Sequence, residues 1–273
     1  MQVRVLTYNI HHWEGTDEKV DVARVAEVIR ATAADIVALN EVYHPAPWLE
    51  RNRPALSVMA EMLGMGWVFG KATEYPWQGQ AGLVGYGNAC LSRWPIRAYA
   101  VHRLPPIPDR EPRSLLEVCV ELPDGQPLTV YVTHLDHQSE AVRLVQLQAA
   151  LQWTLRDRGR PHLLLGDLNA LSPADFPEPE QWQGMLAFAA AEGFTLEEPK
   201  AIPRVLRAGY LDCFAQAGKG EAPTWPTASA RMRIDYIFAS PALASKLCYC
   251  QRWDISPAEI ASDHFPVLAM FEL

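Results

Sequence analysis

The apolar residues of this chain fall into two rhythms. Residues 3–10 alternate and carry β-branched side chains, which predicts a strand that turns at residues 11–15. Val22, Val25, Val28 and Ile29 recur at helical spacing behind Asp21, the expected N-cap. Residues 35–42 are a short apolar run closing on polar side chains, which predicts a buried strand. Residues 54–63 predict a helix stopped by Gly64. Strand-like runs follow at 67–72, 88–92, 96–104, 115–122 and 128–135, with an Asp124-Gly125 turn before the last. Residues 140–156 return to helical spacing through Val142, Val145, Leu147 and Leu151. Residues 162–165 form a compact apolar strand running into Gly166-Asp167-Leu168-Asn169. A proline-rich surface loop over 172–180 and a helix over 182–192 come next, and strands at 234–239, 247–253 and 266–273 close the chain. Early alternation of strand and helix, then mostly strand, predicts an α/β protein with mixed or antiparallel sheets rather than a doubly wound parallel sheet. No repeat or linker divides the chain, so one domain over 1–273 is expected.

Composition narrows the classes. With 273 residues and 49% hydrophobic content the chain can bury a large core and is not a disordered polymer. No run reaches the ~18 apolar residues of a membrane span, and the N-terminus is strand-like rather than a leader, so no membrane insertion and a cytoplasmic location are expected. The 24 basic residues against 32 acidic ones, net charge −8, argue against a protein built to coat nucleic acid. They do not exclude phosphate chemistry carried by a cation. Cys90, Cys119, Cys213, Cys248 and Cys250 include no Cys-x-x-Cys pair. They are expected to be mostly buried thiols in a reducing compartment, with Cys248 and Cys250 sharing one strand face.

The informative pattern is where polar residues interrupt apolar strands. Asn9, Asn40-Glu41, His134, Asp167-Asn169 and Asp235 each sit at a strand end, and Asp263-His264 opens the last strand. Burying a charge is costly unless it is paired or bound to metal. One such end is a cap or a turn; six in one chain predict a shared site. Asn9, Glu41 and Asp263 offer the oxygen ligands that suit Mg²⁺ or Mn²⁺. Asp167 and Asn169, two apart on an extended chain, would point the same way, one taking a proton and the other donating to a developing oxyanion. His134 and His264 would serve phosphoryl oxygens if protonated, with Asp235 holding one of them so. No nucleophile elbow, Walker loop or dinucleotide fingerprint occurs. This set suits direct attack of water on a phosphoester.

The ordered series Thr7-Tyr8-Asn9-Ile10, Asn40-Glu41-Val42, residues 87–93, Thr133-His134-Leu135, Gly166-Asp167-Leu168-Asn169-Ala170, residues 233–237 and residues 262–267 resembles the endonuclease/exonuclease/phosphatase superfamily. The resemblance implies a four-layered α/β sandwich, two packed sheets flanked by helices, and Mg²⁺- or Mn²⁺-dependent phosphoester hydrolysis. It implies Glu41 as principal metal ligand with Asn9 and Asp263 near the same ion, Asp167 as activator of the attacking water, and Asn169 as donor to the transition-state oxygen. His264, oriented by Asp235, and His134 would face the scissile phosphate across the site. The substrate could be a small molecule, a lipid headgroup or a nucleic acid, and a non-catalytic binding protein keeping the fold is the competing class.

Several residues complete the expectation. Arg113 is expected to aim at phosphate, or else to be an exposed salt-bridging arginine. Asn88 is expected to contact or support the substrate. Asp136 and His137 could add a metal site, but Asp136 or Ser139 is expected to cap the helix beginning near Glu140. Trp13, Trp48, Trp77, Trp94 and Trp225 lie near the motifs, where each would stack on a base or sugar or else fill the core, and Trp225 is the one expected to touch substrate. Residues 71–87, rich in Gly, Trp and Gln, are expected to form a rim loop.

Overall fold

The computed structural model describes residues 1–45, 53–76 and 82–273. Its strands are β1 (Gln2–Asn9), β2 (Ile36–His44), β3 (Gly66–Pro76), β4 (Leu83–Ser92), β5 (Ile96–Arg103), β6 (Ser114–Glu121), β7 (Pro127–His134), β8 (His162–Asp167), β9 (Leu211–Asp212), β10 (Gly218–Lys219), β11 (Asp235–Ala239), β12 (Leu247–Arg252) and β13 (Val267–Glu272). One sheet runs β10-β12-β13-β1-β2-β4-β3, the other β5-β6-β7-β8-β11-β9. Both are mixed. β1 pairs parallel with β2, and β7 with β8, while β13, β4 and β11 join antiparallel.

The sheets stack because both faces of their central strands are apolar. Val3, Val5, Ile36, Ala38 and Cys90 of the first sheet meet Val118, Val130, Val132, Leu163, Leu165 and Ile237 of the second. On the outer face of the first sheet, Leu6, Tyr8 and Leu39 pack under α1 (Val22–Thr32) and α2 (Ala55–Leu63). On the outer face of the second, Tyr131, Leu164 and Phe238 pack under α3 (Glu140–Thr154). The result is the expected helix–sheet–sheet–helix order. A separate apolar cluster gathers Met185 and Phe188 of α4 (Pro179–Ala191) with Phe194, Leu196, Trp225, Met232 and Ile234. α5 (Ala201–Arg207) packs on the α3 side through Ala201, Ile202 and Val205.

The caps behave as local chemistry dictates. Asp21 Oδ1 accepts from the Arg24 amide at 2.9 Å, and Gly64 ends α2 in the left-handed region at φ 64°. Asp136, not Ser139, organises the entry to α3: its Oδ1 accepts from the amides of Gln138 (2.9 Å) and Ser139 (2.8 Å). Asp136 is 1% exposed, and neither candidate metal-holding triple among the described residues includes it.

Three expectations are corrected. Residues 71–76 and 83–87 are strand, not rim loop: β3 and β4 pair from Gly66 to Pro76. The glycines there serve close approach, since a side chain at Gly87 would collide with the Gly70 carbonyl. Helix α4 begins at Pro179, inside the predicted loop, with proline at its first turn and the Gln181 side chain accepting from the Glu178 amide at 3.1 Å. Cys248 and Cys250 do not share an environment. The register shifts between Leu247 and Tyr249, which leaves Cys248 exposed and Cys250 buried. Trp13 and Trp94 take the core alternative: Trp13 is fully buried and donates to Met59 Sδ at 3.4 Å, and Trp94 packs against the inter-sheet core. Trp48 and Trp77 lie outside the described residues. No helix among the described residues is long and apolar enough to cross a membrane.

Candidate active site

Parallel pairing brings like strand ends together. Asn9 at the end of β1 is in register with Asn40, and His134 at the end of β7 with Asp167 at the end of β8. β11 starts where β8 stops, so Asp235 lies opposite Asp167. Asp263 and His264 come just before β13, whose Val267 pairs with Thr7. The predicted residues therefore meet at one rim of the sandwich. A cleft of about 690 Å³ opens there, lined by Glu41, His134, Asp167, Asn169, Asp263 and His264, and by apolar Phe194, Leu196, Trp225, Met232 and Ile234.

A bulge places Glu41. Leu39 pairs with Ala89 but Val42 with Gly87, so β2 carries one extra residue there, and Glu41 takes φ 58°. The left-handed region costs a residue with a Cβ about 1–2 kcal/mol. The bulge turns Asn40 into the space between the sheets. Its Nδ2 donates to Asn88 Oδ1 (2.8 Å) and the Thr133 carbonyl (3.1 Å), and its Oδ1 accepts from the Asp167 amide (2.8 Å). Asn40 thus clasps the two sheets directly behind the site, a role hidden inside a motif whose glutamate drew attention. Asn88 completes the clasp, donating to the Ser114 carbonyl at 3.0 Å. It lies behind the cleft and supports the site without lining it.

Asp167 sits between two imidazoles in opposite states. His264 Nδ1 donates to Asp235 Oδ2 at 2.9 Å, and its Nε2 lies 3.8 Å from Asp167 Oδ2. Burial alone would lower the His264 pKa, but Asp235, then Asp167 and Asp263, raise it to about 10, so the ring is a cation at neutral pH. His134 is the opposite. Burial and the Arg113 guanidinium depress it well below its ordinary value. Arg113 Nη1 donates to His134 Nδ1 at 2.9 Å, which puts the ring proton on Nε2, 3.6 Å from Asp167 Oδ2. The expectation that His134 works protonated is therefore corrected: it is a neutral donor through Nε2, because a permanent cation occupies its other nitrogen.

Arg113 lines the cleft but is not an exposed arginine. It is 4% exposed, ion-paired with Glu111 Oε1 at 2.6 Å, and braces His134. Burial and the nearby Asp235 carboxylate push Asp167 up to about 7, against His264, the Asn9 side chain and the Asn169 amide, which pull it down. A carboxyl group titrating there is poised to exchange protons near neutrality. Asp263 is held below the usual carboxylate range: burial works against this, but His264, His11 and the Trp225 indole outweigh it. Trp225 Nε1 donates to Asp263 Oδ2 at 3.1 Å, and its ring lies 6.5 Å from His264 and 6.2 Å from Phe194.

Two placements depart from expectation. Asn169 is not on an extended chain with Asp167. It takes φ 49°, its amide donates to Asp167 Oδ1 at 2.8 Å, and its Nδ2 to the Leu135 carbonyl at 3.1 Å. A turn, not strand alternation, brings it to the cleft. Asn9 presents nitrogen rather than oxygen to the carboxylates. Nδ2 donates to Glu41 Oε1 and Asp167 Oδ2, both at 3.0 Å, while Oδ1 accepts from the His11 amide at 3.1 Å. Asn9 ties Glu41 to Asp167 through its amide nitrogen.

The donor chemistry fits a divalent cation. Glu41, Asp167 and Asp263 line one cleft with hard oxygens, and their negative charge is only partly offset by His264. Asp235 Oδ1, buried beside them, has no hydrogen-bond partner. Among the described residues two triples bring ligand atoms within 4.8 Å of one another: Asp167, Asp235 and His264, and a triple the motifs did not announce, His11, His12 and Glu41.

Comparison with known proteins bears on this geometry. Residues 6–264 match the family described as "Endonuclease/Exonuclease/phosphatase family". The chain belongs to that family. Over 252 residues it is 28% identical to the uncharacterized protein YbhP of Escherichia coli K12, covering 89% of this chain and 86% of that one. The endonuclease/exonuclease/phosphatase from Beutenbergia cavernae DSM 12333 superposes with a TM-score of 0.75 at 27% identity, over 100% of this chain and 72% of that one. A mannosyl-6-phosphatase of Bacteroides thetaiotaomicron VPI-5482 shares the fold at a TM-score of 0.67 and 19% identity, over 98% of each chain. The family's members are in general hydrolases, and the two mixed sheets with flanking helices are its sandwich.

Proposed function

We propose that the protein is a divalent-metal-dependent phosphoesterase that hydrolyses a small-molecule phosphodiester or phosphomonoester by direct attack of water. The observation that carries the reading is Asp167 held between a cationic His264 and a neutral His134 in a cleft also lined by Glu41 and Asp263. Asp167 accepts the proton of the attacking water at Oδ2. His264, kept charged by Asp235, faces the phosphoryl oxygens and balances the charge that grows there. His134 donates from Nε2 on the same side as Glu41, whose Oε1 lies 4.0 Å away. Asn169 retains a second amide hydrogen beside the one given to Leu135 and offers it to a phosphoryl oxygen. Glu41 and Asp263 would hold Mg²⁺ or Mn²⁺, which polarises the phosphoryl group and lowers the pKa of bound water.

The small substrate follows from size and charge. Of the arginines at the cleft, Arg113 and Arg143 are buried and paired with Glu111 and Glu140, which leaves Arg110 as the outward one. Among the described residues lining the cleft, one outward arginine is a poor match for a phosphate backbone. Phe194, Leu196 and Trp225 give the group beyond the phosphate an apolar surface. The free cysteines suit a reducing compartment, and the cytoplasm is the compartment we propose. The test is hydrolysis of a panel of small phosphoesters with Mg²⁺ or Mn²⁺, set against plasmid and abasic DNA. Turnover of small esters exceeding that of DNA supports the reading. Preference for DNA makes the protein a nuclease, and hydrolysis of none makes it a binding protein on a hydrolase fold.

A further inference from the structure

We propose that His11, His12 and Glu41 form a site for a borderline divalent metal, bound through two imidazole Nε2 atoms and a Glu41 oxygen, preferring Co²⁺ and Zn²⁺ over Mn²⁺ and all three over Mg²⁺. The proposal refines the metal part of the phosphoesterase reading and rests on it for the place of Glu41 in the cleft.

The three residues offer ligand atoms within 4.8 Å of one another. Both rings are fixed in the tautomer a metal requires. His11 Nδ1 lies 3.2 Å from the Glu14 carbonyl, and His12 Nδ1 lies 3.2 Å from the Glu41 carbonyl. A carbonyl oxygen only accepts, so each Nδ1 carries the proton and each Nε2 keeps its lone pair. This is how ligating histidines are usually oriented. The His12 ring is held in place against Tyr43, at 4.6 Å between centroids, and Tyr86, at 5.9 Å.

Glu41 faces both ways. Oε1 receives Asn9 Nδ2 at 3.0 Å, whereas Oε2 lies 3.4 Å from His12 Nε2. In the neutral tautomer that contact sets one lone pair against another with no proton between them. A cation placed there turns the repulsion into two bonds. Three consecutive residues, His11, His12 and Trp13, are left-handed at φ 40°, 56° and 65°, and Glu41 is left-handed as well. The chain bends unfavourably on both sides of the cluster, and the bends aim these side chains at one another. Nitrogen ligands set the selectivity: imidazole suits borderline ions, whereas Mg²⁺ takes oxygen and water.

Metal binding to the full chain tests this without reference to turnover. Titration calorimetry should give tighter binding of Co²⁺ than of Mg²⁺. The double variant His11→Asn/His12→Asn should weaken Co²⁺ at least about tenfold while Mg²⁺ changes less than about threefold. Asparagine tolerates the left-handed backbone, so the variant keeps the turn while losing both imidazoles. Pulsed electron paramagnetic resonance of bound Mn²⁺ should show ¹⁴N coupling in the wild type, lost in the double variant. Wild-type Mn²⁺ without ¹⁴N coupling overturns the site even if the variant fails to fold, and so does unchanged Co²⁺ affinity in a folded variant. Nitrogen coupling in a protein that cleaves no phosphoester would sink the hydrolase reading and leave this site standing. Cleavage with no nitrogen coupling would do the reverse.

Discussion

Asp235→Asn isolates what holds the His264 imidazole charged. The amide is isosteric, so it can still accept from His264 Nδ1, and the buried Oδ1 it replaces has no partner to lose. What disappears is the negative charge. Raising His264 from 6.5 to about 10 corresponds to a preference for the cation on the order of 5 kcal/mol, and Asp235 is the largest group raising it. Without that charge, burial is opposed only by Asp167 and Asp263, and the His264 pKa falls. Asp167 also loses the carboxylate that pushes it up to about 7. The proposed mechanism uses Asp167 ionised and His264 protonated, so the wild type should be most active between about pH 7 and about 10. In Asp235→Asn both limbs should move to lower pH, the alkaline one further. kcat at the wild-type optimum should fall by roughly 10²–10⁴. The assay is a pH–rate profile on the best ester of the small-molecule panel at saturating metal. A loss under about tenfold with an unmoved alkaline limb would refute the assignment of His264 as a charged group held by Asp235.

Asp167→Asn should lower kcat by at least about 10² while leaving thermal stability equal or raised, because it removes a buried charge facing Asp235; a calorimetric melt with the kinetics checks both. Its pH dependence carries a sign. A carboxyl raised in the fold from 3.8 to about 7 contributes stability below the lower value and loses it as pH climbs through the upper one. Metal-free wild type should therefore lose stability across that window more steeply than Asp167→Asn, as urea midpoints at pH 4.5 and 7.5 would show. Asn40→Ala orphans Asn88 Oδ1, the Thr133 carbonyl and the Asp167 amide, so destabilisation of about 2–4 kcal/mol is expected from urea unfolding. Arg233→Met leaves Asp175 and Asp212, paired with it at 2.8 and 2.7 Å, without their cation, and should cost about 3–5 kcal/mol by the same measurement.

The strand-end positions were legible because strand periodicity is local. A polar residue closing an apolar run can be seen without knowing the partner strand, and the pairing of Asn9 with Asn40 and of His134 with Asp167 then brings those ends together. What the pattern could not show depends on contacts far along the chain. The charge state of His134 depends on its burial and on Arg113, twenty-one residues upstream. The orientation of the Asn9 amide follows from the His11 amide and two carboxylates. Left-handed backbone at Glu41 and Asn169 has no periodic signature. Helix α5 hides behind Pro203, tolerated because it falls in the first turn. Gly85 and Gly87 read as loop because composition alone does not separate a flexible glycine from one that lets two backbones touch.

The clasp at Asn40 makes the working centre a property of the seam. One layer supplies Glu41, Asp263 and His264, the other His134, Asp167 and Asp235, so no fragment carrying a single layer holds a complete set. Any breathing that parts the layers by even a bond length would dismantle the geometry before the helices melt. Turnover would then be the most sensitive gauge of cohesion in this molecule, fading in mild denaturant ahead of every spectroscopic sign of unfolding.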